Sequence, residues 1–342
     1  MRPITLAVLI SILLPTAAAA QFLPENSDFW WLHTDDDVAH YVLEIGPPDE
    51  SAPTWVFLHG GYGAEHSYLI DVVLPHAAGH RFVLYDQRGS LRSPAPDSTI
   101  TFVSFVEDLE AIRQALAMDR LRILAHSNGI NIALDYLGTH PEKVESLVLL
   151  SPPLSFLHSE PFDASLDELI ERYRELEDSF RVATTQRIED ALAALGLADP
   201  QDLTSQERSM RRRVEAAGWH TTDPMNWRAM RTAFFEPAVF EALQRNTDPA
   251  VRRARTLRKS RAFVETEIPI RVILGDADYV DPEAVVWTGV IKAARDGRLT
   301  VLEEAGHNAW IDRPEAFRTA LDEVLEELAS SPRPTKPQKE GP

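Results

Sequence analysis

A serine, an aspartate and a histidine, far apart in the chain, have the types and settings that acyl transfer needs. Ala125-His126-Ser127-Asn128-Gly129 stands between an expected strand, Leu121 to Ala125, and a helical pattern with Ile130, Ala133, Leu134 and Leu137 on one face. A serine on such a strand-to-helix turn sits in a tight bend that needs small residues two before and two after it, and Ala125 and Gly129 meet that need. The start of the following helix favours negative charge developing beside the hydroxyl. A serine hydroxyl is a weak nucleophile near neutral pH, so it requires a base, and the base requires an orienting acid. The run Ile270 to Leu274 ends at Gly275-Asp276-Ala277-Asp278-Tyr279-Val280-Asp281, and the next ends at Glu303-Glu304-Ala305-Gly306-His307. Asp278 is the expected acid, with Asp276 and Asp281 as competitors, and His307 is the expected base. Both follow C-terminal strand ends, where ligands meet open α/β sheets, in the order serine, acid, histidine.

A fourth part is expected from His59-Gly60-Gly61-Tyr62-Gly63, which follows the apolar run Thr54 to Leu58. Its glycines let backbone N–H groups approach a substrate oxygen, and the amides of Gly61 and Asn128 are the expected oxyanion donors. The rival use of such glycines is a phosphate cradle, but neither Gly-Lys-Ser/Thr nor Gly-x-Gly-x-x-Gly is present.

These residues need elements to position them. Val38 to Ile45, Thr54 to Leu58, Arg81 to Tyr85, Leu121 to Ala125 and Ser146 to Leu150 predict strands. Phe102 to Met118 predicts a helix with Val103, Val106, Leu109, Ile112 and Leu116 on one face. Alternation of strand and helix from 54 to 151 is the pattern of an α/β fold, a mostly parallel sheet with helices on both faces. It stops at Pro152-Pro153 and resumes at Pro269. Between them only helical patterns occur, including a capping box at Thr204 and Glu207 and Asp-Pro starts at Asp223 and Asp248. The expected organisation is therefore a core of residues 21–151 and 263–329 with an inserted helical cap at 152–262. The final elements are a strand at Ile270 to Leu274, a helix from Pro282 to Ala294, a strand at Leu299 to Leu302 and a helix from Pro314 to Leu328. A proline- and lysine-rich tail at 330–342 is expected to be disordered.

Composition bounds the partners. The chain of 342 residues has no cysteine and carries 53 acidic against 34 basic side chains, a net charge of −19. A thiol nucleophile, a disulfide framework and a cysteine-held metal are excluded, and a general affinity for nucleic acid is disfavoured by repulsion from phosphate. Residues 1–20 pair a basic start with an apolar run from Ile4 to Leu14 and small residues Ala17 to Ala20, the pattern of a secretory signal peptide. That run is shorter than the roughly 20 residues a spanning helix needs. A secreted or periplasmic protein beginning at Gln21, without stable membrane insertion, is the expectation. Metal spacing such as His-Glu-x-x-His is absent, and no cofactor is expected. The basic group Arg211, Arg212, Arg213 reads as surface or cap–core ion pairs, and the acidic run from Asp167 to Asp178 as a solvated helix face.

His59-Gly60-Gly61-Tyr62-Gly63, Asp86-Gln87-Arg88-Gly89-Ser90, Asp108-Leu109-Glu110-Ala111-Ile112-Arg113, the serine turn, Asp278 and His307 together resemble an α/β-hydrolase, nearest the prolyl aminopeptidase (proline iminopeptidase) branch. The resemblance runs from about Thr54 to Leu328 and implies release of an N-terminal residue, often proline, from small peptides through an acyl-enzyme at Ser127. The chain departs from that branch in three places. Tyr62 stands where proline is usual, and Leu91 where a second glycine is usual. Ala125-His126-Ser127-Asn128-Gly129 replaces Gly-Gly-Ser-Trp-Gly, a pattern closer to esterases and lactonases. The cap tryptophan Trp227 lacks the Trp-Glu pair from which the branch draws a glutamate for the substrate amine. Carboxylester or lactone hydrolysis is the alternative, and a non-catalytic binding protein on the same fold is a third.

Overall fold

The computed structural model describes residues 23–48, 52–162, 165–231 and 235–330. The expected signal peptide lies outside the described residues, as does the expected tail from residue 331 onward. In chain order the main elements are β1 (Ser27–His33), β2 (Ala39–Ile45), β3 (Thr54–Leu58), β4 (Arg81–Tyr85), α1 (Phe102–Ala115), β5 (Leu121–His126), α2 (Gly129–Thr139) and β6 (Val144–Leu150). Four helices follow: α3 (Ser165–Ala194), α4 (Ser205–His220), α5 (Pro237–Asn246) and α6 (Pro249–Glu265). The chain then forms β7 (Ile270–Gly275), β8 (Gly297–Leu302) and α7 (Pro314–Ser330).

The eight strands make one sheet in the order β1-β2-β4-β3-β5-β6-β7-β8. The β1–β2 and β2–β4 pairings are antiparallel and the rest parallel. A parallel sheet is buried on both faces, so its strands are mostly apolar, and alternate residues feed two separate cores. Val56, Ile123, Leu149 and Val272 enter the core under α1, α2 and α6, while Phe57, Leu124, Val148 and Ile273 enter the one under α7. A third, small core of Ile188, Leu192, Leu197, Leu203 and Val214 ties α3 to α4. Strand β3 lies between β4 and β5, so connections leave its neighbourhood in opposite directions and open a crevice at the C-terminal ends of β3 and β5. Ligands bind open α/β sheets at such a switch point.

The structure departs from the sequence pattern in four places. Strand β1 is absent from the expected elements: Phe29 and Trp31 are 44% and 46% exposed on this edge, so no buried alternation marks it. Val103, expected on the buried face of α1, is 50% exposed, and Phe105 is buried instead. That helix also stops before Met118, because Ala117 takes a left-handed conformation (φ 51°) while Met118 N–H donates back to Arg113 O at 3.1 Å. The helix expected from Pro282 to Ala294 is three short turns, Pro282–Ala284, Trp287–Val290 and Ile291–Ala293, broken by positive φ at Glu283 and Ala284. The reason is local: Asp281 accepts hydrogen bonds from Val286 N–H and Trp287 N–H, capping a later start.

Helix α2 begins against the backbone of β3. A Cβ at Gly129 would lie 2.6 Å from both Leu58 O and His59 O. Gly129→Ala should therefore destabilise the fold by about 1–3 kcal/mol, read as a lowered denaturant midpoint at unchanged slope; a wild-type midpoint would show that β3 and α2 can part without strain.

Candidate active site

Ser127 follows the last residue of β5 and has φ 50°, in the left-handed region. The bend is held by Ser127 N–H donating to Leu150 O and by Ile130 N–H donating to Ser127 O, both at 3.0 Å. A β-carbon-bearing residue in this conformation is strained, and such strain persists where the surroundings over-determine it. Those surroundings are close. A Cβ at Gly60 would lie 2.7 Å from Ser127 Cβ, so the loop after β3 lies directly against the serine turn. Gly61, also left-handed at φ 66°, follows in that loop. Among the described residues, neither Gly61 N–H nor Asn128 N–H is taken by a backbone acceptor.

The two other residues expected from the sequence meet. His307 Nδ1 donates to Asp278, 2.9 Å from Oδ1 and 3.0 Å from Oδ2, with both residues buried. The competing carboxylates are engaged elsewhere. Asp281 caps the turn at Trp287, and Asp276 opens onto a separate acidic cleft with Glu283, Glu304 and Asp312. Asp278 itself is fixed by Val280 N–H, which donates to its Oδ1 at 3.0 Å.

Several contacts hold the loop that carries His307. Ser151 Oγ donates to His307 O at 2.8 Å. Gly306 N–H donates to Asp312 at 2.8 Å, and Asn308 N–H donates to His220 O at 2.7 Å. A Cβ at Gly275 would lie 1.8 Å from Ala305 O, so the loops bearing the aspartate and the histidine are in backbone contact. Asp312 also accepts from Thr222 N–H, Thr222 Oγ1 and Asn226 Nδ2, all in the segment after α4. One carboxylate thus fastens the helical segment to the histidine loop, and burial raises its pKa.

Histidine and tyrosine rings surround His307. The rings of His126, Tyr279 and His220 lie 4.8, 4.9 and 5.5 Å from it. Gly60 N–H donates to Tyr68 Oη at 2.7 Å, so the Tyr68 hydroxyl proton is directed to His126 Nδ1 at 2.8 Å. That leaves the His126 proton on Nε2, facing His307 O at 3.4 Å. Burial, reinforced by repulsion from His307, holds the His126 pKa well below the usual imidazole range. His220 donates from Nδ1 to Ala216 O at 2.7 Å, and burial lowers its pKa to about 4. It is a neutral acceptor at its other nitrogen.

Ser127, Asn128, Gly61, His307, His220 and Tyr279 line one cavity of about 380 Å³. Much of its remaining wall comes from Arg213 on α4 and from Trp227, Met230, Arg231 and Phe235 between α4 and α5. Sequence reasoning missed most of this wall. The basic triplet reads as surface or cap–core ion pairs, yet Arg213 lies over the Trp227 ring at 4.9 Å. Tyr68, His220, Tyr279 and Asp312 carry no motif, and only topology brings them here. Arg211 does make the expected surface pair, with Glu215 at 2.9 Å.

The described residues that could hold a metal ion are Glu65, His66 and Asp86. Their ligand atoms are already engaged: His66 Nδ1 lies 2.6 Å from Asp86, and Arg92 reaches Glu65 at 3.1 Å and Asp86 at 3.5 Å. This cluster lies outside the cavity.

A hydroxyl, an imidazole oriented by a carboxylate, and two N–H donors around one cavity are the parts of an acyl-transfer site. A family model described as alpha/beta hydrolase fold matches residues 53–314. The proline iminopeptidase of Lactobacillus helveticus is 37% identical over 117 residues, which are 32% of this chain and 39% of that protein's length. The chain therefore aligns with about two fifths of such relatives. Among solved structures, a proline iminopeptidase-related protein from Thermus thermophilus superposes with a TM-score of 0.60 at 25% identity, covering 89% of this chain and 98% of that one. An esterase from Exiguobacterium antarcticum shares the fold at a TM-score of 0.52 and 20% identity, over 86% and 98% of the two chains.

Asp281 gives a pH test of the loop. Burial raises its pKa from 3.8 to about 6, so the unfolded chain releases this proton first as pH rises. Folding stability should fall between about pH 4 and 6 relative to Asp281→Asn, then level off. Parallel stability curves for the two proteins would show that the carboxyl is not held neutral in the fold.

Proposed function

This chain belongs to the α/β-hydrolase family, and from that premise we propose that it is a serine hydrolase cleaving small carboxylic esters through an acyl-enzyme. The observation that carries the reading is the buried Asp278–His307 pair opening on the cavity that holds Ser127. Ser127 Oγ attacks the carbonyl carbon while His307 Nε2 takes the hydroxyl proton. Asp278, on Nδ1, stabilises the imidazolium that forms. The carbonyl electron pair moves onto oxygen, where the Gly61 and Asn128 N–H groups hold it. As the pair returns, the leaving group departs with the proton from His307. Water then repeats the sequence on the acyl-enzyme and frees the acid.

A second reading, release of an N-terminal residue from a small peptide, is favoured by the identity to Lactobacillus proline iminopeptidases. The cavity wall weighs against it as the first choice, because no aspartate or glutamate among the described residues lines it to receive a free amine. Secretion or export to the periplasm remains a proposal resting on residues 1–20.

Purified protein should take a fluorophosphonate label that disappears in Ser127→Ala, and labelling that persists would remove Ser127 as nucleophile. Asp278→Asn should lower turnover by about 10⁴-fold; a decrease below tenfold would reassign the acid. Para-nitrophenyl esters, lactones and prolyl anilides compared on one preparation separate the two readings. Anilides turned over in preference to esters would reverse their order.

A further inference from the structure

The wall of the cavity is charged on one side only. Two guanidinium groups, Arg213 and Arg231, line it, with no carboxylate among the described lining residues. Arg231 is neutralised, since its Nε donates to Asp71 at 2.7 Å. Arg213 is not. Its Nη2 faces the carbonyl oxygens of Trp227 at 3.1 Å and Met230 at 3.5 Å, and its plane lies over the Trp227 ring. Among the described residues no carboxylate pairs with it. Backbone carbonyls and a ring face hold a guanidinium in position without cancelling its charge.

An arginine has five N–H donors, and among the described residues only Nη2 of Arg213 is engaged. Trp227 is held from a second side by Arg228, 4.5 Å from its ring, and its indole N–H is buried without an acceptor. Met230, Phe235 and Tyr279 give the cavity apolar and aromatic surface as well. In a protein of net charge −19 this is a local reversal of sign, and it sits at the proposed reaction site.

Building on the serine-hydrolase reading, we propose that the substrate carries a carboxylate, joined through an apolar segment to the carbonyl that Ser127 attacks, and that Arg213 is the residue that selects it. A guanidinium matches a carboxylate in shape as well as charge, and such charge-assisted bonds are stronger than neutral ones. The same group repels an ammonium, so one residue favours acidic esters and disfavours free peptide amino termini.

The test uses three esters with a common leaving group: mono-para-nitrophenyl adipate, its neutral methyl ester, and the para-nitrophenyl ester of ε-aminocaproate. Wild-type kcat/KM should rank them anionic, neutral, cationic, with the anionic ester ahead of the neutral one by about 10- to 100-fold, and the advantage should shrink as salt rises. In Arg213→Gln the anionic-to-neutral ratio should fall to near one, chiefly through KM, and Arg213→Lys should restore part of it. Equal turnover of the three esters by the wild type overturns the charge assignment alone. A ratio unchanged in Arg213→Gln, with a wild-type denaturant midpoint, overturns the role of Arg213. Failure of the wild type to cleave any of the esters or to take a fluorophosphonate label overturns the hydrolase reading and this proposal with it.

Discussion

His307 meets both oxygens of Asp278 through a single ring nitrogen, in a setting from which water is excluded. Desolvating a carboxylate costs several kcal/mol unless partners replace the lost water, and the replacements here are the imidazole and the amide of Val280. The pairing also decides the chemistry that remains. With Nδ1 engaged, only Nε2 of His307 is left for the cavity. A ring free to turn would offer either nitrogen and so neither reliably.

Much of the surrounding structure serves to keep that ring in position. The parallel pairing of β7 and β8 brings two strand ends side by side, and backbone contact at Gly275 and Ala305 locks the loops that leave them. The carbonyl of His307 is held from β5 and β6, through His126 and Ser151, so the histidine loop is tied to the serine turn across the sheet. Asp312 extends the same framework into the helical segment that closes the cavity. The proposed reacting groups stand on short loops at strand ends, and the rigid sheet together with these contacts fixes the loops.

The core strands are legible because a doubly covered sheet forces apolar runs, as in Trp55–Leu58 and Val272–Leu274. The proposed reacting residues are legible because they stand where such runs stop. Asp278 among its neighbours is a harder choice. Three aspartates share that loop, and only the folded turn shows that Asp281 is taken by Val286 and Trp287. Edge strand β1 leaves no mark because two of its aromatics face solvent, and Asp312 and Tyr68 leave none because their roles depend on partners remote in the chain. Arg213 is misread for a related reason. A basic triplet on a helix looks solvent-directed until the position of Trp227 is known. Spacing along the chain exposes periodic burial, whereas contacts between the helical segment and the core leave no periodic trace.

That Ser127, His307 and Asp278 act as one unit is tested most directly by a double-mutant cycle on turnover. If they do, Ser127→Ala combined with Asp278→Asn should be no slower than Ser127→Ala alone, because an orienting acid has nothing left to act on once the nucleophile is gone. Full multiplication of the two single effects would mean that the aspartate and the serine work independently, and would contradict a shared catalytic unit.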